Sequence, residues 1–340
     1  MMLNDIAISA KSTIVPTTDD DTELPENVRF LKTGFDTRSV LGKKGTRNMD
    51  KLTGLTIHCI DHMMPGLSDQ RKSEPERMGI VVGSAQGSMD SIVRFTYESL
   101  AYGRPDFVNP ALFPNTVMNC AAGQTAIWYG IKGPNATISS EALSSFAAIN
   151  YAISLLQNQY ADTLITGGVE ELTEVNIAAN TALAHKLDVP ARFAESSAFF
   201  VVESSKMAAK YHRPVLATIN AICIGFNPDV HNPDALCNLI DQVIDDSGID
   251  KRDIGLISTA GIWPQTSELE LSAVDLSFGG VSSEAKLHQT NSQFGNAVSS
   301  HNALQLNAVI ENLEPGESAL MLAHDLKGNM AVMIVTGGGE

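Results

Sequence analysis

The sequence is poor in cysteine, in aromatic side chains and in positive charge, and each scarcity closes off a class of protein. Its four cysteines, Cys59, Cys120, Cys223 and Cys237, lie far apart with no Cys-x-x-Cys pair. That spacing argues against a zinc ribbon or a disulfide framework and fits reduced, intracellular thiols. Only 23 Lys and Arg stand against 39 Asp and Glu, a net charge of −16. Nucleic acid and anionic membrane both demand a basic surface, so neither is expected as a main partner. No apolar run approaches the ~18 residues of a membrane-spanning helix. The start, Met1-Met2-Leu3-Asn4-Asp5, has an early acid and no basic segment, unlike a secretory signal. A cytoplasmic protein is expected.

What is present is core. Hydrophobic residues make up 44% of 340 and charged residues 18%, which excludes disorder and suits about two domains at ~150 residues each. Ile6-Ala7-Ile8-Ser9-Ala10 reads as a short opening strand, and residues 16–26, with prolines and an acidic run, as a solvated loop. Met78-Gly79-Ile80-Val81-Val82-Gly83-Ser84 is a compact apolar run ending at glycine, the pattern of a buried parallel strand. A helix follows over about 88–101, with Met89, Ile92, Val93, Thr96 and Leu100 on one face; another covers 119–131. After Gly133-Pro134-Asn135 come a strand at 136–139 and a helix, from Leu143 to Leu156, apolar on nearly every side and therefore central. Strands are read near 162–168 and 198–203. From about 214 the scheme restarts: a strand from Val215 to Cys223, a helix capped by Asp234, strands near 254–258, 319–323 and 330–336, and a helix at 298–311. Two successive α/β series predict two similar halves, 1–204 and 205–340, although no short-period repeat is visible.

Four stretches together resemble the β-ketoacyl synthase family. They are Asn109-Pro110-Ala111-Leu112-Phe113-Pro114-Asn115-Thr116-Val117, Gly133-Pro134-Asn135, the run from Ala161-Asp162 to Gly167-Gly168-Val169-Glu170-Glu171, and the run from Glu195-Ser196-Ser197 to Val202-Glu203. Leu41-Gly42-Lys43-Lys44-Gly45, with Arg47 and Asp50, fits the segment upstream. The resemblance is strongest over 75–205. It implies an α/β, thiolase-like five-layer αβαβα sandwich of two similar halves, a large dimer interface, and no cofactor or metal. The chain is shorter than the family's usual members, with the loop after the first strand reduced.

The family's chemistry requires a cysteine thiolate at a helix start and two histidines that decarboxylate the malonyl donor and stabilise its enolate. Counted from Gly133-Pro134-Asn135, the nucleophile position falls on Ala142, a methyl group beside Glu141. The first histidine position reads Ala260-Gly261-Ile262-Trp263-Pro264, and the second reads Phe294-Gly295-Asn296. Ala142, Ala260 and Asn296 thus replace all three functions. Within the family this pattern is similar to the chain-length factor, the β-subunit of type II polyketide synthases, whose usual Glu-Gln signature is met by Glu141 but not by Ala142. The resemblance implies a cysteine-bearing ketosynthase α-subunit as partner and an acyl carrier protein delivering the chain. It also implies that Met89, Ile92, Val93, Phe95, Thr96 and Tyr97, on the helix after Gly83-Ser84, line the tunnel that measures the polyketide.

Other features have competing readings. Cys120 opens a helix as a relocated nucleophile would, yet suits packing as a small apolar residue. Ser139, Ser140, Ser144 and Ser145 offer hydroxyls for an alternative Ser-dependent acyltransferase or hydrolase, with no histidine at either base position. His58 and His62 have metal-pair spacing but no evident third ligand. His301, a turn beyond Asn296, should face away from the site. Trp263 fits bulk that fills space left by the lost histidine. Arg38, Lys43, Lys44, Arg47 and Lys51 form a basic cluster suited either to an acidic carrier protein or to local salt bridges. The Met89–Leu100 face reads equally as core.

Overall fold

The computed structural model describes residues 5–16, 18–20, 28–101, 103–279 and 285–339. Along the first part of the chain the strands are β1 (Ile6–Ile14), β2 (Thr18–Asp20), β3 (Val28–Lys32), β4 (Met78–Gly83), β5 (Asn135–Ile138), β6 (Thr163–Glu170), β7 (Ala191–Ala194) and β8 (Ser196–Ser204). The rest are β9 (Ala217–Phe226), β10 (Ile254–Thr259), β11 (Lys286–Gln289), β12 (Ser318–His324) and β13 (Asn329–Gly337). The helices before residue 190 are α1 (Thr37–Leu41), α2 (Lys51–Asp61), α3 (Ser68–Ser73), α4 (Met89–Ala101), α5 (Cys120–Tyr129), α6 (Ser144–Gln157) and α7 (Glu174–Leu187). After it come α8 (Ser205–Lys210), α9 (Asp234–Ser247), α10 (Pro264–Phe278), α11 (Thr290–Phe294) and α12 (His301–Asn312).

Ten strands form one sheet in the order β11-β10-β12-β13-β9-β1-β8-β6-β4-β5. Taking β1, β4, β5, β6, β8 as one set and β9 to β13 as the other, both read third, second, fourth, fifth, first from the outer edge inward. In both sets the second strand runs parallel to the third and fourth, and the fifth runs antiparallel to the fourth and first. The duplication is therefore explicit in topology although the sequence shows no repeat. Strands β1 and β9 join the sets, pairing antiparallel over Ile6, Ile8 and their neighbours.

Three apolar clusters define the layers. One gathers α2 and α5 on the outer face of the first set, through Leu55, Cys59, Ala122 and Tyr129. A second gathers α9 and α10 on the outer face of the other set, through Leu236, Ile240, Leu269 and Phe278. The third lies between the sets, where Phe146, Ile149 and Ile153 of α6 meet Leu304 and Leu306 of α12. The result is the expected five layers, αβαβα. Helix α6 is central because nine of its positions are buried. Among the described residues no helix is long and apolar enough to cross a membrane.

Three local expectations need correction. Strand β1 continues to Ile14, beyond Ala10, because β8 supplies a partner as far as Ser197 after a bulge at Ile8 and Ala10. Residues 18–20 of the expected solvated loop form β2, which pairs with β3 in a small sheet that β7 completes. Residues 17 and 21–26 of that loop, like residue 27 and Met1 to Asn4, lie outside the described residues. Asp234 is the first helical residue of α9, not its cap; Pro233 precedes it, and Asn232 Oδ1 accepts from Asp234 N–H at 2.9 Å.

Candidate functional site

The turn between β5 and α6 is a strained elbow. Glu141 sits at φ 49°, a left-handed conformation uncommon outside glycine. Two contacts hold it: Ser140 N–H donates to Ser144 Oγ at 3.0 Å, and that hydroxyl donates to the Glu141 carbonyl at 2.6 Å. Strand ends from two neighbours press against the helix start. A Cβ on Gly83 would stand 2.6 Å from the Ser144 carbonyl, and one on Gly168 would stand 2.9 Å from Ser145 Cβ and 2.8 Å from the Ser299 carbonyl. Only glycine fits at either place.

The elbow presents Ala142 to a cavity of about 230 Å³, whose walls include Phe193, Ile262, Trp263, Asn296 and Val298. Trp263 stands edge-on to Phe193 at 5.8 Å between ring centres. Asn296 is held by backbone bonds from both sides: its N–H reaches the Arg192 carbonyl at 2.6 Å, and its carbonyl accepts from Ala194 N–H at 2.9 Å. Its side-chain oxygen accepts from Val298 N–H at 2.9 Å. Ala260, fully buried, lies two residues before Ile262 at the end of β10. The structure thus brings Ala142 and Asn296 into one wall, with the loop from Ala260 supplying another.

His301 does not stand free beside Ala142. His301 is fully buried; its Nε2 lies 2.9 Å from the Ala260 carbonyl and its Nδ1 accepts from Ala297 N–H at 3.5 Å. Burial pushes its pKa down to about 4. Both ring nitrogens are engaged by backbone, so the ring is a brace between the loop at Ala260 and the loop at Ala297. Three buried carboxyls, Glu170, Glu171 and Glu270, are shifted the other way. Burial raises Glu170 to about 7 and Glu270 to about 8, although Glu270 accepts from Gly261 N–H at 2.8 Å and His324 N–H at 2.9 Å.

The remaining candidates disperse. Ser145 Oγ accepts from Ala303 N–H at 3.1 Å, Ser139 Oγ donates to the Ala85 carbonyl at 3.3 Å, and no histidine bonds to any of the four serines among the described residues. The Cys120 thiol is pushed up to about 11 by burial and by Asp50, which keeps it protonated despite its place at the start of α5. His58 and His62 lie 5.1 Å apart ring to ring, and no cluster of three or more metal-ligating side chains exists among the described residues. In the basic cluster, Lys51 Nζ binds Glu195 at 2.7 Å and Arg38 donates to the Arg47 carbonyl at 3.0 Å, while Lys43 and Lys44 are exposed.

Helix α4 does not behave as core. Val93 is 40% exposed, Tyr97 67% and Leu100 76%. Thr96 is exposed too, whereas Met89, Ile92 and Phe95 are half-buried, with Phe95 5.9 Å from Phe113. None of the six expected tunnel residues is in the wall around Ala142. Sequence reasoning also missed residues that do line that cavity, among them Asn180 of α7, Phe193, and Lys327, which pairs with Glu141 at its edge. For Lys327 the local signal was the turn Asp325-Leu326-Lys327-Gly328 between β12 and β13, where Gly328 takes φ 94°.

A five-layer sandwich of two equivalent halves, with a tight elbow at the start of its central helix, is the thiolase-like fold. The chain belongs to the β-ketoacyl synthase family: the model for "Beta-ketoacyl synthase, N-terminal domain" matches residues 8–197. It is 26% identical over 326 residues to 3-oxoacyl-[acyl-carrier-protein] synthase 2 of Coxiella burnetii, covering 88% of this chain and 78% of that one. In structure it is similar to "The ishigamide ketosynthase/chain length factor", at TM-score 0.86 and 22% identity, over 98% of this chain and 100% of that one. It is likewise similar to a ketosynthase chain solved with a type II polyketide acyl carrier protein, at TM-score 0.79 and 15% identity, over 98% and 99% of the two chains.

Proposed function

We propose that this chain is a non-catalytic chain-length factor: it pairs with a cysteine-bearing ketosynthase, and together they shape the tunnel that holds a growing polyketide delivered by an acyl carrier protein. One observation carries the reading. At the positions that the family's motifs assign to the thiolate and both imidazoles stand Ala142, Ala260 and Asn296; Ala142 follows the strained Glu141, and Ala142 and Asn296 line one cavity. None of the three can attack a thioester or shuttle a proton at neutral pH.

A broad exposed apolar surface supports a paired state. Val93, Tyr97 and Leu100 of α4, Phe107 and Phe113 beyond it, and Ile127 and Trp128 of α5 are all more than a third exposed. Patches of this kind mark protein–protein contacts. In this reading Met89, Ile92, Val93, Phe95, Thr96 and Tyr97 face the tunnel only once the partner covers α4. The halves 1–204 and 205–340 act as one body.

The test is incubation of the purified chain with acyl-loaded carrier protein, followed by intact-mass measurement. No adduct is expected. A stable acyl mass on a Ser or Cys would replace this reading with a Ser-dependent acyltransferase or thioester hydrolase.

A further inference from the structure

A second cavity, of about 580 Å³, lies between the start of α4, residues 47–51 and the corner joining β6 to α7. Its floor carries Asp50, Lys51 and Glu171. Glu171 is 2% exposed, and among the described residues nothing donates to its Oε1. Asp50 has the same deficit at Oδ2, while its Oδ1 accepts from Thr53 N–H at 2.8 Å and caps α2. Of the neighbouring acids, Glu195 takes Lys51 Nζ at 2.7 Å and Leu172 N–H at 3.0 Å, while Glu170, outside this cavity's lining, takes Ala85 N–H at 3.2 Å and the Ser299 hydroxyl on Oε2 and also leaves Oε1 without a donor. Lys51 is thus committed, and two carboxylates from different elements each leave one acceptor in the same cavity. Buried acceptors without donors are costly, and native proteins pair nearly all of them.

The cavity is continuous with the exposed apolar surface. Its lining includes Ala111 and Leu112, next to exposed Phe113, and Arg94, next to exposed Val93. Lys32, Arg47 and Arg94 with Asp90 and Glu174 form a rim of mixed charge, so the acidic character is confined to the floor. We propose that this cavity receives an arginine side chain from the chain that covers α4, its guanidinium bridging Asp50 and Glu171. The flat fork of five N–H donors reaches two carboxylates at once, which an ammonium or a hydroxyl does less well. This rests on the paired-subunit reading.

The site has a pH signature. Burial, then Asp50, Glu170 and Glu195, hold the Glu171 carboxyl protonated well above the usual carboxylate range, against the opposing pull of Lys51. Docking of a guanidinium expels that proton, so binding tightens as pH rises. The probe is ethylguanidinium chloride, titrated into the ¹⁵N-labelled full chain at constant ionic strength. Saturable shifts around residues 50, 91 and 171 are expected, tighter at pH 8 than at pH 6, and at least about tenfold weaker and pH-independent in Glu171→Gln. No saturation, or saturation of those signals by magnesium chloride and not by ethylguanidinium, overturns the proposal. In parallel, the chain is co-expressed with cysteine-bearing ketosynthase α-subunits of type II polyketide synthases. If the wild type pairs and Glu171→Gln pairs about tenfold more weakly, the proposal stands; equal pairing overturns it and leaves the paired-subunit reading intact. If the wild type pairs with no ketosynthase, that reading fails and the arginine donor falls with it.

Discussion

A thiol placed at position 142 would put a nucleophile in the elbow with no histidine in the lining of its cavity. Ala260 and Asn296 carry no titratable group, and His301 has both nitrogens on backbone partners. Exposed Glu141 next to it would disfavour a thiolate. Ala142→Cys is therefore expected to yield no condensation product with malonyl- and acyl-loaded carrier proteins, read by product mass; any condensed product would sink the assignment of the lost histidines. A second single-residue consequence is thermodynamic. Glu270 titrates near 8 in the fold against 4.5 when unfolded, so the folded state binds more protons and loses stability as pH rises between those values. His301 acts oppositely, but only between about 4 and 6.5. From pH 6.5 to 8 the glutamates act alone, and the denaturant-measured stability should fall by on the order of 2 kcal/mol from Glu270. Glu270→Gln should remove that share of the slope and leave the part due to Glu170 and Glu171. An unchanged slope would mean that Glu270 is ionised throughout.

Helix α4 is where one element decides between two roles. Its face of Val93, Tyr97 and Leu100 is solvent-facing in the lone chain, so a charge there costs the fold little. Val93→Asp should change the chain's own stability by no more than ~0.5 kcal/mol and abolish co-purification with a ketosynthase. Thr96→Phe should leave pairing intact and shift products toward shorter polyketides, because added volume at a close-packed wall shortens the space for the chain. An unchanged product distribution from a stable complex would show that this helix does not measure length. The same helix marks the boundary of what the sequence could tell. Period and composition located α4, α6 and most of the long strands, since Met78–Gly83 and the α6 run are apolar enough to have one solution. The motif count singled out Ala142, Ala260 and Asn296, of which Ala142 and Asn296 line one cavity. An apolar stripe, however, reads the same whether its cover is the chain's own core or another chain. Cavity walls from Asn180, Phe193 and Lys327, on three separate elements, carried no periodic signal at all. Strand β2 was hidden because its pairing with β3 is tertiary, in a stretch whose composition says loop.

At the scale of the molecule, the two topological halves share a core that neither owns. The central cluster mixes Phe146 and Ile149 with Leu304 and Met333, and β1 pairs with β9 across the divide. A fragment of residues 1–204 would expose the inner face of its sheet and half the central layer. It is expected to lack sharp tertiary structure and to be cut rapidly by protease, whereas the full chain should unfold in one cooperative step. A well-folded fragment, by NMR dispersion, would show that the halves are autonomous.

Helix α12 shows what that shared core implies for the motions of the backbone. It is buried along nine successive residues, His301 to Val309, yet carries His301, Asn302, Gln305 and Asn307. Gln305 ties it to the Ser258 and Leu322 carbonyls of both adjoining strands, and Ala303 N–H reaches Ser145 of α6. Its amide hydrogens have no local route to solvent, so exchange with deuterium there must wait for the whole chain to open. Exchange should therefore be slowest over 301–309 and fast in α4. Addition of the paired ketosynthase should slow α4 by orders of magnitude and leave the rank of α12 unchanged. Early exchange in α12 would mean that the centre opens without the rest.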